Sequence, residues 1–162
     1  MTKNECVAFA LTSSQALLKF YVKDFSPADY VHRPIPQSNC TAWIIGHLTL
    51  TDRRALERTH ATDLPLLPDG FQEQFGQGEG APPRAADFGD TSILVPLFDA
   101  HRNRLIDMAR QSSAEELNQP IGFQHPRFKT VGEMLIFMGV HTSMHSGQIT
   151  TIRRSLGRPP LI

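Results

Sequence analysis

Apolar residues recur along this chain at spacings of three and four, the period at which side chains stack on one face of an α-helix. Over 4–25 the stripe is Val7, Leu11, Leu18, Val22 and Phe25, completed by Ser14 and Tyr21, and it predicts an amphipathic helix with one face on a core. Ser26-Pro27-Ala28-Asp29 is expected to break that helix. His32-Arg33-Pro34-Ile35-Pro36 reads as a loop, because its prolines remove donors and push their predecessors toward extended backbone, which leaves His32 at the surface. A second helix, capped at Ser38-Asn39, runs through Cys40, Ile44, His47, Thr51 and Ala55 with Trp43 and Leu50 on its flank, and fades near His60.

Between 62 and 90 the periodicity stops. Pro65, Pro68, Gly70, Gly76, Gly78, Gly80, Pro82, Pro83 and Gly89 punctuate the stretch so densely that a long irregular connection is expected, anchored by Phe71, Phe75 and Phe88. The glycines do not make a phosphate-cradling loop, since no strand precedes them and no Lys-Ser or Lys-Thr opens a helix after them. A third helix covers 92–111 with Leu94, Leu97, Phe98, His101, Leu105 and Met108 on one face. Pro96 leaves its start open between a beginning just before the proline and a kinked first turn. The chain leaves this helix through Asn118-Gln119-Pro120 and Gly122, with His125 as a loop residue.

The fourth helix has the best-marked ends. Thr130-Val131-Gly132-Glu133 fits a capping box; Gly157 suits a left-handed cap, Pro159 forbids continuation, and Arg153 and Arg154 oppose the C-terminal dipole. Along its seam Met134, Met138, His141, His145, Gln148 and Ile152 follow at four and three, so both histidines are expected in core positions. Gly139, Ser143 and Gly147 would let a neighbouring backbone approach closely.

Those two histidines carry the chemistry. Residues four apart on a helix reach toward one point, and a buried imidazole needs a polar partner. No acidic residue lies on the seam between Met134 and Ile152 to supply one, whereas a metal satisfies both rings. His47, inside the apolar face of the second helix, is either a third ligand or a neutral core histidine bonded to a carbonyl. His101 reads as a packed histidine, with membership of the site as its alternative. Thr142 follows His141, so the general-base glutamate of zinc-protease helices is missing. Three imidazoles suit zinc by default, with nickel, iron and copper also fitting. An open fourth position would bring a bound water toward a pKa of about 7 or hold a substrate thiol as thiolate. Cys40 lies two turns before His47 with no third group to form a nucleophilic triad.

Composition excludes other classes. Sixteen Lys and Arg balance sixteen Asp and Glu, so no overall positive field argues for nucleic acid or an anionic membrane. Cys6 and Cys40 read as reduced thiols. Nowhere do eighteen apolar residues run together, and no signal-length apolar core follows Met1-Thr2-Lys3-Asn4-Glu5-Cys6; a soluble cytoplasmic protein, one domain over 1–162, is expected.

The sequence resembles the DinB/YfiT-like family of small metal-binding four-helix bundles over nearly its full length. Three stretches carry the likeness. They are Thr130-Val131-Gly132-Glu133-Met134-Leu135 leading through His141 and His145 to Gly147-Gln148-Ile149 and Ile152-Arg153-Arg154-Ser155-Leu156-Gly157; Trp43-Ile44-Ile45-Gly46-His47-Leu48; and the glycine-bearing Phe75-Gly76-Gln77-Gly78. The resemblance implies an all-α four-helix bundle with a long loop between its second and third helices. It also implies that His47, His141 and His145 bind one divalent metal at one end of the bundle, and that the protein is a homodimer. The family's characterised relatives include thiol-dependent transferases and isomerases, and no catalytic residue beyond the ligands carries over. Two functions are therefore expected. One is an enzyme that uses the metal to activate a low-molecular-weight thiol (transferase) or a water (hydrolase) on a small-molecule substrate; the other is a stress or binding protein whose metal only staples two helices.

Overall fold

A computed structural model describes residues 1–76, 85–159 and 161. Four long helices, α1 (Lys3–Val22), α3 (Thr41–Arg58), α5 (Leu94–Gln111) and α7 (Val131–Ser155), form a four-helix bundle; the short helices α2 (Pro27–Val31), α4 (Phe71–Phe75) and α6 (Ala114–Asn118) lie in its connections. α1 packs against α5 and α7, and α3 packs against the same two, so α1 and α3 face each other across the diagonal. One apolar cluster joins the C-terminal halves of α1 and α7 to the N-terminal halves of α3 and α5, and a second joins the opposite halves. Hence α1 and α7 run one way while α3 and α5 run the other.

Local chemistry explains where the helices begin and end. Thr2 caps α1 and Thr130 caps α7, each with a reciprocal glutamate, Glu5 and Glu133, that satisfies the cap's own N–H. α1 ends at Val22, short of the Phe25 expected and before Ser26-Pro27-Ala28-Asp29, which does not break it but opens α2: Ser26 accepts from the Asp29 N–H and Asp29 answers, with Pro27 at the first position where its missing donor costs nothing. The cap expected at Ser38-Asn39 is corrected. Ser38 instead closes a turn onto Ile35, and buried Cys40 is the residue before α3, with no side-chain cap. The 62–90 stretch is likewise not wholly irregular, since α4 and a 3-10 turn at Ala85–Phe88 lie within it. Phe71, Phe75 and Phe88 are buried anchors as expected, whereas Gln77, the glycines at 78 and 80 and the prolines at 82 and 83 fall outside the described residues. At the start of α5 a 3-10 turn, Thr91–Ile93, capped by Asp90, leads straight into the helix, which begins at Leu94, just before Pro96.

The buried face of α5 is Leu94, Phe98, His101, Arg102, Leu105, Ile106 and Ala109, so Arg102 enters the core, while Leu97 and Met108 pack against it partly buried. Its guanidinium, wholly shielded from solvent, donates to both oxygens of equally buried Asp52 on α3, Nε to Oδ2 at 2.7 Å and Nη2 to Oδ1 at 2.9 Å. Nη1 reaches Ser14 Oγ on α1 at 3.0 Å, and Nη2 reaches Thr142 Oγ1 on α7 at 2.8 Å. All four long helices thus meet at one cation, in a polar layer between the two apolar clusters. Burial pushes the Asp52 carboxyl up, and Arg102 opposes that shift. Arg153 makes a second tie: it does not simply oppose the dipole of α7 but donates to the Tyr21 carbonyl and to Asp24 at 2.5 Å, holding that carboxyl at about 2.

Replacing Arg102 by Met strands a buried carboxylate and is expected to destabilise the protein by roughly 3–5 kcal/mol in urea unfolding. The double variant Arg102→Met/Asp52→Leu should recover most of that loss. Additive losses would contradict a coupled pair.

Candidate metal centre

The α3–α7 seam brings His47, His141 and His145 together. Their ligand-capable nitrogens all lie within 4.8 Å of one another. His141 Nε2 and His145 Nε2 face each other 3.1 Å apart, within hydrogen-bond distance. Two nitrogens on one zinc at about 2.05 Å stand about 3.3 Å apart at the tetrahedral angle, so this pair has the spacing of a ligand edge. The third ring closes the set with a shift on the order of 1.5 Å.

Each ring is held by its surroundings. Trp43 stacks on His47 with centroids 4.8 Å apart and planes 8° from parallel, and Phe137 stacks on His141 at 6.0 Å and 9°. His145 shares its Nδ1 with Gln148 Oε1 at 3.0 Å, which leaves Nε2 facing inward; a ring nitrogen ordered this way is typical of metal-ligating histidines. His47 is bonded to the Phe75 backbone, and α4 reaches it because Gly46 has no side chain: a Cβ there would lie 2.1 Å from Phe75 Cδ1.

The rings are neutral at physiological pH, as metal ligation requires. Burial first, then the fields of His145 and Arg54, hold His47 at about 4 against the pull of its backbone bond. Burial, then His145, His47, Arg102 and Arg127, hold His141 at about 4. His145 is lowered by burial and partly restored by Gln148.

Several expectations need correction. The core positions of α7 belong to Thr142, Ser146 and Ile149, while His141 and His145 are half-buried on the edge facing α3. The trio flanks the polar layer near mid-length of α3 and α7, not an end of the bundle. Gly139 does admit a neighbour, since a Cβ there would lie 3.0 Å from the Ala10 carbonyl oxygen, but nothing crowds Gly147, and Ser143 is exposed and bonds back to the Gly139 carbonyl. His101 is fully buried, with Nδ1 on the Leu97 carbonyl at 2.8 Å, a packed histidine outside the trio. His32 is half-buried and bonds Ser155 Oγ. Cys6 and Cys40 are free thiols, and burial pushes the Cys40 thiol up, away from nucleophilic use.

Sequence periodicity missed one wall of the site. A cleft of about 300 Å³ opens on His47 and His141 and is also lined by Arg54, Arg58, His125 and Arg127. Arg54 and Arg58 stand seven and eleven residues after His47 on one face of α3, a spacing that was there to be read. His125, expected only as a loop residue, stacks on Phe128 at 3.7 Å and faces the cleft.

The DinB superfamily model matches residues 10–149. A conserved protein from Enterococcus faecalis superposes with a TM-score of 0.77 at 19% identity, covering 98% of this chain and 99% of that one. YfiT from Bacillus subtilis, described as "a probable metal-dependent hydrolase with an unusual four-helix bundle topology", gives 0.69 at 17% identity, covering 98% and 91%. No curated protein matches. At these identities the two structures share the fold.

The histidines also set a pH dependence. Unfolded imidazoles titrate near about 6.5 and these folded ones lower, so below 6.5 the unfolded chain binds more protons. Metal-free protein should lose stability as the pH falls from 6.5 through about 4 and show no dependence from these rings above 6.5. Urea midpoints in chelator check this, and His141→Phe should flatten the slope; a level profile between pH 7 and 5 in the parent protein would contradict it.

Proposed function

This chain belongs to the DinB superfamily, and on that footing we propose that it is a metal-dependent enzyme acting on a small molecule, with His47, His141 and His145 holding one divalent cation. One observation carries the reading: three neutral, oriented imidazoles from two helices converge beside a cleft. Among the described residues no fourth His, Cys, Asp or Glu joins them. A metal that only staples helices is normally closed by four protein ligands, so a three-ligand set beside a cleft favours catalysis over the stapling role. Zinc is the default, with nickel, iron and copper fitting the same donors.

Bound there, the cation supplies Lewis acidity, which polarises a substrate oxygen and lowers the pKa of a coordinated water or thiol. The chain's own part is to position and to shield. Gln148, the Phe75 backbone, Trp43 and Phe137 fix the three rings; Phe128, Met134, Phe137 and Met138 give the cleft an apolar side. Among the described residues no Asp or Glu lines the cleft. The nucleophile is water in the hydrolase form, which the name of the YfiT neighbour supports, and a small thiol in the transferase form, which the family resemblance implies. Among the described residues no helix is long and apolar enough to cross a membrane; a cytoplasmic homodimer completes the proposal.

Zinc-loaded protein should bind close to one equivalent per chain and turn over activated esters, or an electrophile with a small thiol, in a manner that chelation abolishes. His145→Ala should weaken zinc by at least about 100-fold and remove turnover, while Gln148→Leu should cost about tenfold in affinity. Turnover that survives His145→Ala would sink the reading.

A further inference from the structure

The cleft beside the histidines is built from cations. On α3, His47, Thr51, Arg54 and Arg58 follow at four, three and four, so one stripe leads from a ligand position to two guanidiniums. Arg127 comes from the opposite wall, on a loop closed at its base by the Pro120–Thr130 bridge and by bonds from Ile121 N–H to the Lys129 carbonyl and from Val131 N–H to the Gln119 carbonyl. Aromatic rings hold two of these cations in place without neutralising them. The Arg58 guanidinium lies 4.2 Å from the centre of Phe123, and that of Arg127 lies 5.4 Å from the centre of Phe137, the ring stacked on His141.

Among the described residues none of the three arginines forms an ion pair, although the chain as a whole carries equal numbers of acidic and basic residues. Arg53, their neighbour, is paired with Glu57 at 2.7 Å and turned away from the cleft lining. The positive field extends to the trio, where Arg54 acts on His47 and Arg127 on His141. Guanidiniums present planar forks that match carboxylate and phosphate oxygens, and three of them without counter-charge around a partly enclosed space make a site for an anion.

We propose that this cleft binds the anionic end of the substrate, a carboxylate or phosphate oxyanion, on Arg54, Arg58 and Arg127, and so presents the adjoining reactive group to the histidine trio. The identification of that anion as substrate rests on the trio being a reaction centre; the binding of an anion does not. A neutral substrate of the same size is correspondingly disfavoured, because it leaves three guanidiniums without partners.

The test titrates inorganic phosphate, malonate and uncharged malonamide, at constant ionic strength, into full-length metal-free protein labelled with ¹⁵N. Saturable shifts are expected at the arginine Nε–H groups of 54, 58 and 127 with phosphate or malonate and none with malonamide, and the tighter of the two anions names the oxyanion. Arg54→Gln/Arg127→Gln should weaken that binding by at least about tenfold while keeping the parent's melting temperature and zinc stoichiometry. Arg54→Lys, which keeps the charge but not the fork, should fall between. Unsaturable shifts scattered over the surface, or equal affinity in the double variant, would overturn the proposal. Since metal is absent, the two readings separate: anion binding without stoichiometric zinc binding supports the cleft and removes the metal centre, and zinc binding without anion binding does the reverse.

Discussion

A single buried guanidinium ties the four long helices together. Arg102 has no solvent to return to, so every donor it carries must find an oxygen inside the bundle, and the oxygens it finds come from Asp52, Ser14, Thr142 and the Met138 carbonyl. A buried ion pair of this kind adds little net stability over a well-packed apolar pair, but it disfavours other registers: sliding α3 against α5 strands a charge, and sliding α1 or α7 leaves a buried guanidinium N–H without its hydroxyl acceptor. That constraint sets the candidate metal centre. Asp52 lies five residues after His47 on α3, and Thr142 follows His141 on α7, so the helices that Arg102 aligns are the two whose histidines converge. The polar layer therefore positions the site without belonging to it.

Above that layer, the site is organised by what is left uncompensated. Burial and neighbouring positive charge keep the imidazoles neutral, and the cleft beside them gathers guanidiniums with no carboxylate among the described residues. A divalent cation on the trio would be repelled by the three arginines nearby, and an anionic group bound in the cleft would relieve that repulsion. In the proposed complex, metal and anion consequently strengthen each other's binding, as linkage requires of two ligands sharing one field. The aromatic stacks of Trp43 and Phe137 hold the rings in place throughout.

Much of this was legible in the sequence wherever the governing interaction is local. The capping box at Thr130 and Glu133, the stop at Gly157 and the stripe of α1 from Val7 to Val22 all depend on residues within one or two turns, and the structure places them as read. The histidine pair was legible for the same reason, and the family resemblance supplied the bundle. What escaped depends on partners far apart in the chain. Arg102 and Asp52 are fifty residues apart and each reads alone as a surface charge, so periodicity, which rightly placed Leu97 and Met108 against the core, missed the rotation that buries Arg102 as well. The same rotation problem placed His141 and His145 in the core when Thr142 and Ser146 occupy it, since small hydroxyl residues that bond back to their own helix pack as well as apolar ones. Ser26 and Ser38 illustrate the ambiguity of short polar residues near proline: one caps a helix and the other closes a turn.

The central claim is that three histidines from α3 and α7 hold one cation with room left for a small molecule. X-ray absorption at the zinc edge of protein loaded with one equivalent tests it most directly. The expected first coordination sphere is three imidazole nitrogens at about 2.0–2.1 Å completed by exchangeable oxygen, changing on addition of a small anion. A sphere containing sulfur, or closed by four protein ligands and indifferent to added anion, would contradict it.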